Sequence, residues 1–269
     1  MITAGIDVGT RFLKIAIVED SRLLGASCLE MNRQFKKVFN AGLDMAVDDA
    51  ERQSGHRIKK RHIKKMMATG YGAHLVKKAN RIVKESVCSA LGAHALNPNI
   101  KTVINAGGFF IRVVTLGDNG LPKEEAINEK CAAGSGKFLE MIAGAIDMPF
   151  NQISFHAGRS ESPFTLTNSC AVFAESDVIS QLNAGCLPED IIAGVIQSIV
   201  NKTITLLNSA NAVSPVCVTG GLAEVSFYTS LLSEMTGHEI VIPDIHPQLL
   251  PAYGAALAAR IKQNGTGSS

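Results

Sequence analysis

Cys131 and Cys170 stand 39 positions apart, and each opens a segment that reads as a helix start: Cys131-Ala132-Ala133-Gly134-Ser135-Gly136-Lys137 and Cys170-Ala171-Val172-Phe173-Ala174-Glu175-Ser176. Two thiolates are half the ligand set that an iron–sulfur cluster usually takes. One chain with two such cysteines therefore points to a cluster shared between two subunits on a symmetry axis. Helix N-termini favour that placement, because their unpaired N–H groups and dipoles stabilise negative charge. A zinc site is a competing reading, but the pair lacks the short spacing of structural zinc motifs.

A second group of residues has phosphate chemistry. Asp7-Val8-Gly9-Thr10 lies between two apolar segments, with Lys14 on the second. Glycine at such a turn lets backbone approach a phosphate closely, the Asp7 carboxylate can organise hydrated Mg²⁺, and Lys14 can meet a β- or γ-phosphate as a point charge. Gly107-Gly108 and Gly220-Gly221 each follow an apolar run in the same way. All three are equally readable as tight strand exits. No Gly-x-x-x-x-Gly-Lys-Ser/Thr loop is present, and the glycines of 131–137 lack its spacing.

These residues have to be positioned by an alternating pattern of elements. Ile2–Asp7, Lys14–Glu19 and Arg22–Leu29 read as a strand meander, followed by a helix over 34–53 and a strand over 65–69 ending at Thr69-Gly70-Tyr71-Gly72. A helix over 87–95 runs into the Asn97-Pro98-Asn99 turn. The pattern then restarts with strands over 102–105 and 110–116 and a hairpin-type turn at Asp118-Asn119-Gly120. Helices follow over 136–146, 172–183 and 190–208, then a buried-type strand over 215–219 and a closing helix over 253–262. Each half thus begins with a strand, a glycine turn and a returning strand, a weak internal duplication with its boundary near 97–101.

Composition narrows the class. At 269 residues the chain suits two moderate α/β domains. No apolar run approaches the ~20 residues of a membrane span, and the start lacks a secretory pattern, so a cytoplasmic protein without membrane contact is expected. A net charge of +2 points to no polyanion. The basic run Lys59-Lys60-Arg61-His62-Ile63-Lys64-Lys65 lacks interleaved aromatics and reads as solvated surface rather than a nucleic-acid site, with an acidic docking partner as the weaker alternative. Cys28, Cys88, Cys186 and Cys217 read as structural thiols.

Taken together, Gly5–Lys14, Ala68–Gly72, Asn128–Leu139, Ser169–Gly185, Thr219–Gly221 and Tyr253–Ala256 resemble the ATP-dependent activator family of 2-hydroxyacyl-CoA dehydratases and benzoyl-CoA reductases. That family sits within the actin, hexokinase and heat-shock chaperone superfamily. The resemblance implies an α/β fold of two actin-like (ribonuclease H-like) domains with a nucleotide cleft between them. The first would comprise 1–99 plus 250–263 and the second 100–249, with 264–269 a disordered tail. It implies that Cys131 and Cys170 ligate one [4Fe–4S] cluster at a dimer interface. Asp7, Gly9, Thr10 and Lys14 would form the first phosphate site, with Asp7 and Lys14 the catalytic pair. Gly134, Ser135 and Gly136 would join the nucleotide cradle, Gly107 and Gly108 the second phosphate turn, and Gly220 and Gly221 the adenosine side. It further implies ATP/ADP and Mg²⁺, a homodimer or a heterodimer with a related ATPase subunit, a ferredoxin-like electron donor and an iron–sulfur dehydratase or reductase that receives the electron.

One departure from the family pattern bears on hydrolysis. Where the family's second phosphate turn reads Asp-Ile-Gly-Gly-Gln-Asp, this chain has Asn105-Ala106-Gly107-Gly108-Phe109-Phe110. Both carboxylates and the glutamine are gone, and phosphoryl transfer relies on such groups to hold the metal shell and the attacking water. Arg11 also replaces a small hydroxyl residue. The expectation is therefore an electron-transfer activator whose hydrolysis is impaired. A non-hydrolysing, cluster-holding or regulatory subunit paired with an active homologue is the alternative, and a small-molecule kinase of the same superfamily a lesser one.

Overall fold

The computed structural model describes residues 1–128, 135–166 and 171–261. Two compact units arise: Met1–Pro98 with Asp118–Leu121 and the chain from Gln248 on, and Asn99–Gly117 with Pro122–Pro247.

The first unit is built on β1 (Ile2–Val8), β2 (Phe12–Glu19), β3 (Arg22–Glu30), α1 (Phe35–Ser54), β4 (Lys65–Thr69), β5 (Arg81–Ile82) and α2 (Glu85–Leu96), closed by the last helix of the chain. Its sheet order is β3-β2-β1-β4-β5, antiparallel across β1–β2–β3 and parallel across β1–β4–β5. Alternation along β1 sends successive side chains to opposite faces. Ala4, Ile6 and Val8 join Phe39, Leu43 and Ala46 of α1 in one core. Thr3, Gly5 and Asp7 face the other way. There Thr3 Oγ1 donates to Ala256 O at 3.1 Å, and a Cβ on Gly5 would lie 1.8 Å from Ala252 O.

The second unit comprises β6 (Thr102–Ala106), β7 (Ile111–Leu116), β8 (Pro122–Ile127), α3 (Gly136–Ala145), α4 (Ile153–Ala157), α5 (Ala171–Asn183), α6 (Pro188–Ser209), β9 (Val216–Thr219), α7 (Ser226–Thr236) and β10 (Ile240–Val241). Its sheet order, β10-β9-β6-β7-β8, repeats that of the first unit strand for strand, with the same antiparallel and parallel pairings. Ile104, Ile111 and Val113 pack with Leu139, Ile142, Ile196 and Ile199. At 22 residues α6 is long and apolar enough to cross a bilayer by composition, but Ile191, Ile192, Val195, Ile196, Ile199 and Val200 are all buried in this core. α8 (Leu250–Ala258) returns to the first unit.

The expected strands and helices are present with end shifts of a few residues. The closing helix is the largest shift: it begins at Leu250, with Pro251 in its first turn, and ends at Ala258 rather than running over 253–262. β8 escaped the sequence reading because Lys123-Glu124-Glu125 lacks apolar alternation. It is held by its partner strand, with the Arg112 guanidinium paired to the Glu125 carboxylate. The short β5 and β10 carry too few residues for a periodic signal, and α4 and α7 were also missed. Cys88 and Cys217 are buried, and burial pushes each thiol up to about 12, whereas Cys28 is exposed on β3. The tail 264–269 lies outside the described residues.

Candidate functional site

β1 and β2 pair antiparallel, and their register sets Asp7 opposite Lys14. The two side chains meet at 3.0 Å (Lys14 Nζ to Asp7 Oδ2) and are only 5% and 13% exposed, Asp7 the lower. Burial alone would lower the Lys14 pKa. The charge and hydrogen bond of Asp7 outweigh it, with smaller contributions from Cys28 and Glu85, and Lys14 is held above its ordinary value. The turn between the strands closes through Gly9 N–H donating to Phe12 O at 3.0 Å. A Cβ on Gly9 would sit 2.8 Å from Lys14 Nζ and 3.0 Å from Phe12 O, so only glycine leaves the ammonium head uncovered. Thr10 is exposed at the tip, and Arg11 turns to Glu30 at 3.4 Å and over the Phe12 ring.

The far wall of this turn comes from β4. Thr69 pairs with Asp7, and Gly70 follows at φ +85, where a Cβ would lie 2.3 Å from Asp7 Oδ1. Position 70 thus needs glycine twice, for its backbone and for the carboxylate. Gly72 N–H then donates to Val8 O at 2.9 Å. Glu85, the first residue of α2, adds a second negative charge felt by both Lys14 and Cys88. The sequence reading missed Glu85; an acid in the first turn of a helix is so common that it carried no signal.

In the second unit, Gly107 N–H donates to Phe110 O at 2.9 Å, forming the turn between β6 and β7. The start of α3 is fastened to that turn: Gly136 N–H donates to Gly107 O at 3.1 Å and Lys137 N–H to Gly108 O at 2.8 Å. Ser135 is fully buried beside it. Gly220, at φ +88, closes the same end of the sheet, since a Cβ there would lie 2.4 Å from Ala106 O and 2.9 Å from Asn105 Oδ1. The fold thereby gathers Gly107, Gly108, Ser135, Gly136, Gly220 and Gly221 at the C-terminal ends of β6 and β9, where ligands of open α/β sheets bind. It also binds both of the first α3 amides to carbonyls. Asn105 is 9% exposed, while Phe109 is 40% exposed. Lys137 pairs with Glu140 at 3.1 Å, His156 with Glu189 at 3.2 Å and His246 with Glu224 at 3.6 Å.

Cys131, Cys170 and Gly134 lie outside the described residues. Among the described residues, no group of three or more His, Cys, Asp or Glu is arranged to hold a metal ion.

The (R)-2-hydroxyglutaryl-CoA dehydratase activating ATPase of Acidaminococcus fermentans is 33% identical to this chain over 263 residues, 96% of each. One of the subunits of benzoyl-CoA reductase from Thauera aromatica is 28% identical over 263 residues, 95% of this chain and 92% of that one. Among solved structures, the A. fermentans (R)-2-hydroxyglutaryl-CoA dehydratase component A superposes with a TM-score of 0.88 at 32% identity, covering 96% of this chain and 97% of that one. The activator of the 2-hydroxyisocaproyl-CoA dehydratase from Clostridium difficile, with bound ADPNP, gives 0.85 at 29% identity, covering 96% and 94%. A ROK family glucokinase from Streptomyces griseus, at 13% identity and a TM-score of 0.56 over 96% and 99%, shares the fold alone. The α/β fold with two sheets is thus that of the actin-like ATPases. With residues 4–259 matching the model of the BadF/BadG/BcrA/BcrD ATPase family, this chain is a member of that family.

Proposed function

We propose that this protein is an ATP-dependent iron–sulfur electron-transfer activator, or an ATPase-type subunit, that delivers low-potential electrons to a 2-hydroxyacyl-CoA dehydratase or benzoyl-CoA reductase. The observation that carries the reading is the buried Asp7–Lys14 pair at the Gly9 turn, in a chain akin to an activating ATPase and to an activator solved with ADPNP. Lys14 supplies a fixed positive charge for a phosphate, and Gly9 leaves it uncovered. Asp7 holds that charge in place and offers a carboxylate to hydrated Mg²⁺. In the second unit the turns at Gly107–Gly108, Ser135–Gly136 and Gly220–Gly221, with Gly134, provide backbone that a nucleotide can approach. The protein would be soluble and cytoplasmic.

Cys131 and Cys170 would hold the [4Fe–4S] cluster, shared with a second subunit in a homodimer or a heterodimer with a related ATPase. The donor set fits: two soft thiolates per chain make four per pair. α5 also begins at Ala171, directly after Cys170, with no acid in its first turn to oppose an anion. When bound, such a cluster supplies one-electron redox chemistry, filled by a ferredoxin-like donor and emptied into the partner enzyme.

A second reading rests on the β6–β7 turn. With Asn105, Phe109 and Phe110 in place of two carboxylates and a glutamine, the turn offers no carboxylate to a metal shell, and its two phenylalanines can neither bind metal nor orient water. The chain would then bind nucleotide without turning it over and act beside an active homologue. Anaerobic purification with iron and sulfide analysis, native mass and ATP turnover tests both readings. About four irons and four sulfides per dimer, lost in Cys131→Ser, support the electron carrier. Absence of iron after anaerobic reconstitution sinks it, and the turnover rate decides between the two readings.

A further inference from the structure

Eleven of the 26 lysines and arginines fall between Arg52 and Lys84, and all 24 carboxylates lie outside that stretch. A chain that is close to neutral overall therefore carries a strongly positive stretch within its first unit. At its start the charge is partly answered by α1, through Arg52–Asp49 at 3.5 Å and Lys60–Asp44 at 2.5 Å. Two more cations are used inside the fold: Lys65 Nζ donates to Ala259 O at 3.0 Å and Arg81 Nη2 to Ala258 O at 3.2 Å, satisfying carbonyls at the end of α8. Lys64, Lys77 and Lys78 are exposed and pair with no carboxylate among the described residues.

Backbone pairing brings these separate runs together. Asn80 N–H donates to Met66 O at 2.7 Å, and Met66 N–H donates to Asn80 Oδ1 at 2.7 Å. Lys64 is two residues from that junction, and on the other side Lys78 is two and Lys77 three. At ~3.8 Å per Cα step the three cationic positions therefore cluster. β5 closes the sheet here in the order β3-β2-β1-β4-β5 and exposes Ile82 by 56%. Ile82 is two residues past Asn80, so an exposed aliphatic on the edge strand lies near these lysines, the mix of apolar centre and charge found at protein-binding surfaces. A single-strand nucleic-acid site would need a row of stacking aromatics, and Tyr71 is the one Phe, Tyr or Trp in the whole stretch.

We propose that the β5 edge of the first unit, with Ile82 and the nearby Lys64, Lys77 and Lys78, is the docking surface for a small acidic electron-donor protein. This rests on the reading of the chain as an electron carrier, which needs a donor to reach it. The charges steer and orient the acidic donor, and the apolar centre sets how long it stays.

The test measures the Kd of a purified acidic two-[4Fe–4S] ferredoxin for the wild-type protein, for the triple variant Lys64→Glu/Lys77→Glu/Lys78→Glu and for the control Lys123→Glu in the second unit. A loss of at least about thirty-fold in the triple variant, a control within about twofold, and affinity weakening about tenfold between 50 and 300 mM salt support the surface. Equal binding by the triple variant overturns it. So does binding of an oligo-dT 20-mer that is sensitive to the triple substitution while the ferredoxin is not bound, which would make the patch a nucleic-acid site. Binding of neither leaves the lysines as protection of a bare strand edge, and also overturns it. Bleaching of the cluster by dithionite needs no docking and reports separately on the electron-carrier reading. A cluster-free protein whose ferredoxin binding still follows the lysines would keep the surface and sink that reading.

Discussion

In the first unit Gly9 N–H donates to Phe12 O at 3.0 Å, and in the second Gly107 N–H donates to Phe110 O at 2.9 Å. Seven positions separate Asp7 from Lys14, and seven separate Asn105 from Arg112, each pair facing across its own antiparallel ladder. The two turns occupy equivalent places in two sheets of identical strand order. What differs is the side chain at the end of the first strand, and with it the residue opposite and the third strand of the ladder. In the first unit it is a carboxylate, and the cation opposite closes on it. In the second it is an amide, and the residue opposite is an arginine whose guanidinium pairs with Glu125 on β8. The charge pair thus sits at the turn in the first unit and on the sheet face in the second. The same glycine-turn backbone recurs without the same electrostatics, because the backbone depends on glycine and strand pairing while the charge depends on the side chains it carries.

The sharpest way to break this contrast is Lys14→Met, which leaves Asp7 buried and uncompensated. Loss of one partner of a buried pair costs about 3–5 kcal/mol, read by chemical denaturation, and nucleotide binding should vanish with it. Unchanged stability would show that the pair is not desolvated in solution. Gly220→Ala comes next. Its φ of +88 and the 2.4 Å approach of a Cβ to Ala106 O predict a loss of about 2–3 kcal/mol. Gly9→Ala, which crowds mainly the movable Lys14 head, should lose under about 1 kcal/mol while weakening nucleotide binding, so a protein equally destabilised by both would contradict the geometry. Arg112→Met should cost about 1–2 kcal/mol, less than Lys14→Met, since Glu125 is 19% exposed and can recover water.

The pH dependence sharpens the comparison further. Lys14 has a folded pKa above its ordinary 10.5, so its contribution to stability is full below that value and fades as pH rises through the folded one. As pH rises past 10.5, the denaturation midpoint should fall more steeply for the wild type than for Lys14→Met. Parallel curves would remove Lys14 as the titrating group. Asn105→Asp buries a carboxylate opposite Arg112 and should cost about 1–3 kcal/mol, yet it restores a carboxylate to the second turn. If that carboxylate is what hydrolysis lacks, ATP turnover should rise by about tenfold or more, the equivalent of ~1.4 kcal/mol of barrier. A flat rate would assign the deficit to Phe109 and Phe110.

Local pattern made the central strands legible. Ile2–Val8, Thr102–Ala106 and Val216–Thr219 are apolar runs ending in Gly-bearing turns, and such runs declare themselves without tertiary context. Asp7, Gly9 and Lys14 were legible for the same reason, since strand, turn and returning strand are contiguous. β8 was not, because Lys123-Glu124-Glu125 has no alternation of its own and becomes a strand only beside β7. Glu85 was not either: only the packing of α2 onto the first sheet brings the field of its carboxylate to Lys14, 71 positions away in sequence.

By itself the sequence determined the class of the fold, the duplicated strand–glycine–strand plan and which residue types were on offer, because these follow from period, glycine freedom and side-chain chemistry within a few residues. Tertiary structure decided which of them meet. It set Gly70 against Asp7, fastened α3 to the Gly107–Gly108 turn, sent Arg112 to Glu125 and joined two distant lysine runs at one sheet edge. Each is a contact between separate segments of the chain, fixed by strand register and by close approaches that only glycine permits, and neither can be read from local composition.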